Sequence, residues 1–222
     1  LPIETRSYKP VSHYDLSVNI ARVASELLRE FTLHKSQYGI ARNGDQLFGV
    51  HTFQNSGTEL GLSIAFRNSL DKSLSVGMAF GAQVFVCDNL ALTGSIVKIR
   101  KHTTKVWTDL EEMILTGVYR ARTSFIHAVD DAHRMQEIDI STDGAYRALG
   151  HLFGHQVLSP RQMPVALKEW NQPKHEAFEP RTLWSLYNAV TEALKSSPPQ
   201  SIMEKHIGLH QHLLPNQERW QA

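Results

Sequence analysis

Twelve histidines stand in this 222-residue chain, and two groups of them have spacing that metal ligands use. His151 and His155 are four residues apart in a segment with helical pattern, so both rings leave the helix on one side. That is a common arrangement for zinc ligands. Leu152, however, occupies the place where a zinc peptidase of the His-Glu-x-x-His type needs its general base. Gly150 and Gly154 flank the pair and favour close helix packing as a structural role. His206, His210 and His212 form the second group. His206 and His210 share a helical face, Glu204 is the closest acid, and no cysteine is near. A solvated terminal helix is the preferred reading of this group, ahead of a metal site. Asp130-Asp131 and Asp139 with Asp143 are carboxylate pairs that suit Mg²⁺, but an outer helix face and a helix cap account for them. On this reading no metal site and no cofactor is assigned.

The second chemistry is cationic. Lys98, Arg100, Lys101, His102 and Lys105 cluster with no acid between residues 95 and 108. In a strand, Lys98 and Arg100 share a face. Arg67 and Lys72 lie in a polar turn, and Lys35 and Arg42 flank an earlier one. A sheet rim carrying such residues can track a phosphate backbone. Tyr38, Phe48, Phe53 and Trp107 are close in sequence and suited to stacking on bases. The competing reading is a solvated strand edge, where lysine also blocks edge-to-edge aggregation.

Other chemistries lack their signatures. There is no Gly-x-Ser-x-Gly elbow, no phosphate loop of the Walker type and no Gly-x-Gly-x-x-Gly after a strand. The single cysteine, Cys87, excludes an internal disulfide framework and suits a reducing cytoplasm. Set in Val84-Phe-Val-Cys87, it reads as a small buried hydrophobe rather than a nucleophile. A net charge of +1 does not announce a nucleic-acid binder, so local clustering has to carry that argument. No apolar run reaches 18 residues, so no membrane-spanning helix is expected. The first residues, Leu1-Pro-Ile-Glu-Thr-Arg6, have no apolar signal core and no starting Met, as in a chain that begins inside a longer gene product.

These groups need a scaffold, and the apolar pattern supplies one. Residues 14–31 place Val18, Ile20, Val23, Ala24, Leu27 and Leu28 at helical spacing, with Asp15 as candidate cap. Asn43-Gly44 between apolar runs predicts a hairpin with a type I′ turn. Residues 60–67 and 74–87 read as strands, and Ser95–His102 as a last strand, giving about five antiparallel strands. Thr108 with Glu111 fits a capping box ahead of the longest helix. There Leu110, Ile114, Val118, Ala121, Phe125, Ala128, Ala132 and Met135 form one stripe over roughly 30 residues. That helix is expected to lie across one sheet face. Helices follow near 143–157, 160–170, 180–196 and 200–213, with Trp184 and Tyr187 in the core. The class is α+β: residues 1–140 form the core domain and 141–222 a C-terminal helical region packed on it.

Several segments together resemble the phage- and plasmid-associated family of domain of unknown function 932. They are Tyr8-Lys-Pro-Val-Ser-His-Tyr-Asp15, Gly49-Val-His-Thr-Phe53, Arg67-Asn-Ser-Leu-Asp-Lys-Ser73, Cys87-Asp-Asn89, His102 and Leu183–Glu192. Lys72 and Leu90 replace glycines of the family pattern at turn positions, where glycine permits positive φ. The resemblance implies mobile-element context without an activity. The order of hairpins and long helix is also similar to the core of single-strand annealing proteins. The expectation is therefore a non-enzymatic protein of a bacterial cytoplasm that binds single-stranded DNA and assembles with itself. Arg67, Lys72, Lys98, Arg100, Lys101 and Lys105 would contact phosphate, and Phe48 and Trp107 would stack bases. The alternatives are a protein that blocks a host defence by binding a bacterial protein, and a metal-dependent enzyme using His151 and His155 or Asp139 and Asp143.

Overall fold

A computed structural model describes residues 1–6, 8–56, 58–98 and 105–221, with the backbone alone at residues 94, 95, 97 and 98. Helix α1 (His13–Leu27) precedes five strands: β1 (Thr32–Ala41), β2 (Gln46–Gln54), β3 (Leu60–Ser69), β4 (Gly77–Val84) and β5 (Leu90–Lys98). They pair in chain order as one antiparallel meander. Then come α2 (Val106–Gln136), α3 (Thr142–Gly154), α4 (Met163–Asn171), α5 (Leu183–Leu194), α6 (Ile202–Leu213) and the short α7 (Glu218–Gln221). The α+β class, the strand number and the long helix agree with the sequence pattern. No helix among the described residues is long and apolar enough to cross a membrane.

Alternation along the strands gives the sheet two apolar faces. On one face Leu62, Ile64, Phe66, Met78, Phe80 and Ala82 pack with α1 and with the stripe of α2. All eight stripe residues are buried, and each large one contributes about 1.5–3 kcal/mol by leaving water. The helix sits so close that a Cβ on Gly117 would lie 2.5 Å from the Phe80 ring. On the other face Val50, Ala65, Ala79, Leu90 and Leu92 pack with Ile202, Met203 and Ile207 of α6. Trp184 and Tyr187 are buried in the larger core and stack 5.5 Å apart.

The helix starts differ from the sequence pattern for local reasons. Ser12, not Asp15, caps α1: its hydroxyl accepts from the Asp15 amide at 3.3 Å. Helix α2 begins at Val106, so Thr108 lies inside it, and among the described residues no side chain caps that end. Helix α1 ends at Leu27, where the Leu28 amide closes on Ala24 O. The first hairpin is made, but its loop is longer than a two-residue turn. Arg42, Asn43 and Gly44 all take positive φ (51°, 55° and 98°). The last strand begins earlier than the pattern placed it, at Leu90, and residues 99–102 of the expected strand lie outside the described residues.

The segments that carry the family resemblance act as joints between elements. Asn68 Nδ2 donates to Val11 O (2.7 Å), and Tyr8 OH donates to Leu70 O (3.0 Å). Asn89 Nδ2 donates to both Asn188 O (3.2 Å) and Asn188 Oδ1 (3.0 Å), tying the turn before β5 to α5. Lys72 takes the φ of 64° that a glycine would adopt freely, and its ammonium lies 4.4 Å above the Tyr8 ring.

Candidate metal centre

Helix α3 brings the first two histidines to its C-terminal end. Ser141 caps the start by accepting from the Gly144 amide (3.0 Å). The far end closes as a Schellman motif. The Gln156 amide donates to Phe153 O and the Val157 amide to Leu152 O, while Leu152 and Val157 are both buried. Such a cap wants a left-handed residue just past the helix, and Gln156 supplies it at φ 60°. His151 therefore lies in the last turn and His155 at the cap, one above the other. Their ring centroids are 4.3 Å apart.

Helix α6 supplies the third ring. His212 stacks on His155 at 4.2 Å and meets His151 edge-on at 5.3 Å. One nitrogen from each of the three lies within 4.8 Å of the others. A tetrahedral zinc ion with bonds of about 2.0–2.1 Å holds its nitrogens about 3.3 Å apart, so the rings would draw closer to ligate one ion. His155 is exposed, and the other two are half-buried. His151 Nε2 is buried and has no hydrogen-bond partner among the described residues. An unpartnered buried nitrogen is costly, and coordination would satisfy it. Burial pushes the pKa of both His151 and His212 down, and the neighbouring histidines push the same way. Both rings thus favour the neutral form that binds metal.

Trp220 of α7 closes the inner side, 5.5 Å from the His151 ring, and its Nε1 donates to Leu213 O (3.0 Å). The start of α3 lies so close to α7 that a Cβ on Gly144 would come within 1.9 Å of Trp220 O.

The remaining α6 histidines are committed elsewhere. His206 is fully buried, its Nδ1 donates to Leu90 O (3.0 Å), and burial lowers its pKa to about 4. His210 Nε2 lies 3.0 Å from Asp131 Oδ2, and burial outweighs that carboxylate in lowering its pKa. Asp131 also pairs with Arg134 (3.4 Å). Among the described residues no carboxylate joins a three-ligand group. Cys87 is a free, half-buried thiol whose pKa burial raises, so it is not a thiolate.

The cationic and aromatic residues singled out by sequence fall at several places. Arg67 is buried in β3, and its Nη1 donates to Glu204 Oε2 (2.8 Å) and Gln200 O (3.0 Å). Lys72 is exposed in the β3–β4 turn, and Lys105 is exposed at the start of α2. Trp107 lines a 260 Å³ cleft between α1 and α2. Strand register puts the backbones of Phe48, Arg67, Gly77 and Lys98 in one cross-strand row. Arg100 and Lys101 lie outside the described residues, as does His102. The sequence reading missed that His212 joins His151 and His155, because the spacing of one helix says nothing about a ring arriving from another. A cleft of 640 Å³ is lined by Val86, Val129, His133, Phe178 and Trp184 among others, and none of the three histidines is in its wall.

No curated protein and no solved structure matches the chain. The family model described as domain of unknown function (DUF932) matches residues 5–212, a span that includes all three clustered histidines, and the chain belongs to that family.

Proposed function

We propose that the protein binds a transition-metal ion, zinc first, through His151, His155 and His212. The observation that carries this is the convergence of three imidazole nitrogens within 4.8 Å. Imidazole sets suit Zn²⁺, Cu²⁺, Ni²⁺ and Fe²⁺, whereas Mg²⁺ and Ca²⁺ prefer oxygen ligands. Three protein ligands leave a tetrahedral ion one position open, as in catalytic rather than structural zinc sites. With His155 at the surface, that position is open to water or to a substrate oxygen. A bound ion would supply Lewis acidity there and lower the pKa of its water to near neutrality. The same three ligands would fasten α3 to α6.

Metal content of the purified full chain, measured after dialysis against a weak chelator, tests this reading. About one ion per chain is expected, with none in His155→Ala. That variant is chosen because its side chain is exposed and its loss leaves the core intact. A native chain that holds no ion and takes up none from Zn²⁺, Ni²⁺ or Cu²⁺ would contradict it.

A further inference from the structure

We propose that the groove between α6 and the outer face of β1 and β2 binds a nucleobase that carries a phosphate. The groove is separate from the histidine cluster and the inference does not rest on a metal.

The cavity measures 290 Å³, at the small end of ligand sites, which suits one ring system. The Tyr38 ring turns to the opposite sheet face, where it packs on His51 and Phe66 and its hydroxyl bonds Ser17 of α1, so the aromatic wall of the groove is Phe48, half-buried on β2. Stacking on such side chains is tolerant of which base is present.

The polar side of the groove is fixed in place. Gln83 Oε1 accepts from the Thr52 hydroxyl. Gln83 Nε2 donates to Gln37 Oε1 (2.8 Å) and Asp88 O (3.1 Å). Gln37 Nε2 in turn donates to Asp88 Oδ2 (3.1 Å), so one of its N–H bonds and a carbonyl lone pair are left for a ligand. Asp88 anchors this network from a left-handed conformation, φ 57°. His206 also lines the groove. Its Nδ1 faces a carbonyl, which only accepts, so Nδ1 carries the proton and Nε2 is an acceptor. A half-buried aromatic face, an amide with spare capacity and a ring-nitrogen acceptor together match the donor and acceptor edge of a base.

The rim carries two lysines, each facing a carboxylate. Lys195 Nζ lies 2.6 Å from Cys87 O and pairs with Glu192, and Lys35 Nζ lies 2.6 Å from Asp88 Oδ2. Both lysines are exposed, and exposed pairs exchange partners at little cost. A phosphate on the bound nucleoside would recruit them as point charges.

Two sources share this chemistry: a free mononucleotide and a single strand. The test is fluorescence anisotropy of a labelled single-stranded oligonucleotide at about 50 and 200 mM salt, with unlabelled mononucleotides as competitors and calorimetry of each mononucleotide alone. Native chain, Phe48→Leu and Gln37→Leu are compared after their folds are checked by circular dichroism. Phe48→Leu keeps apolar bulk and removes the stacking face, so affinity is expected to fall roughly tenfold, and Gln37→Leu is expected to weaken it as well. Mononucleotides that bind alone and displace the strand identify a nucleotide site. A strand that binds while mononucleotides neither bind nor compete identifies a strand site. Either result with both variants weakened supports the proposal. No binding of either ligand at micromolar protein overturns it, and so does binding that both variants retain in full.

Discussion

His206 and His210 stand one turn apart on α6, as His151 and His155 stand one turn apart at the end of α3, yet the two pairs are put to different uses. His206 gives its Nδ1 proton to Leu90 O, and His210 sets its Nε2 against Asp131. Each is a packed, hydrogen-bonded residue that fastens α6 to the rest of the molecule. His151 and His155 instead face each other and His212, and His151 Nε2 has no partner among the described residues. The sequence spacing is the same in both pairs, so spacing does not mark the metal site. What marks it is the convergence of three imidazole nitrogens on one point; a buried nitrogen without a partner does not, since among the described residues His210 Nδ1 has none either.

The largest effect that sharpens this contrast comes from acid. Burial holds the pKa of His206 at about 4 in the folded chain, below about 6.5 when unfolded. As pH falls from 6.5 toward 4, the unfolded state takes up a proton that the folded state refuses. Stability is therefore lost across that window, by on the order of 3 kcal/mol from this group. Urea unfolding at a series of pH values checks it. His206→Gln should flatten the profile between pH 6.5 and 4, and an unchanged slope would remove the buried-residue account of His206.

The next effect separates the two sets directly. Zinc at about a hundred times its Kd should stabilise the native chain by about 2.7 kcal/mol, read as a rise in melting temperature. His155→Ala should lose that rise and His210→Ala should keep it. Acidification below about pH 6.5 should weaken zinc binding, because protons compete for the same nitrogens. The depressed pKa values of His151 and His212 should delay that loss relative to ordinary histidines.

The smallest effect concerns the cap that sets His155 in place. Gln156 holds φ 60°, a conformation that glycine adopts without strain. Gln156→Gly should stabilise the chain by about 1 kcal/mol or less and leave zinc affinity as it was. A loss of affinity there would mean that the glutamine side chain itself supports the site.

Much of the fold is legible in the sequence because its signals are periodic and local. The stripe from Leu110 to Met135 repeats over many turns, and all its members are buried. Prolines follow the ends of the C-terminal helices, although Pro164 lies within the first turn of α4 rather than between helices. Helix starts were harder, since they depend on single contacts such as Ser12 Oγ accepting from the Asp15 amide. The candidate site was half legible. The spacing of His151 and His155 is visible on one helix, but the arrival of His212 is a property of how α3 and α6 pack. The same limit governs Arg67. Its turn motif reads as an exposed cation, but Glu204, which it meets at 2.8 Å, lies 137 residues further along the chain. Long-range partners of this kind leave no local trace.

The most direct test is a calorimetric zinc titration of the native chain beside His212→Ala and His210→Ala, two residues apart on the same helix. Convergence at the three-histidine cluster predicts one site in the native chain, an affinity lower by roughly a hundredfold or more in His212→Ala, and native affinity in His210→Ala. Equal binding by His212→Ala and the native chain, or loss of binding in His210→Ala alone, would contradict the account.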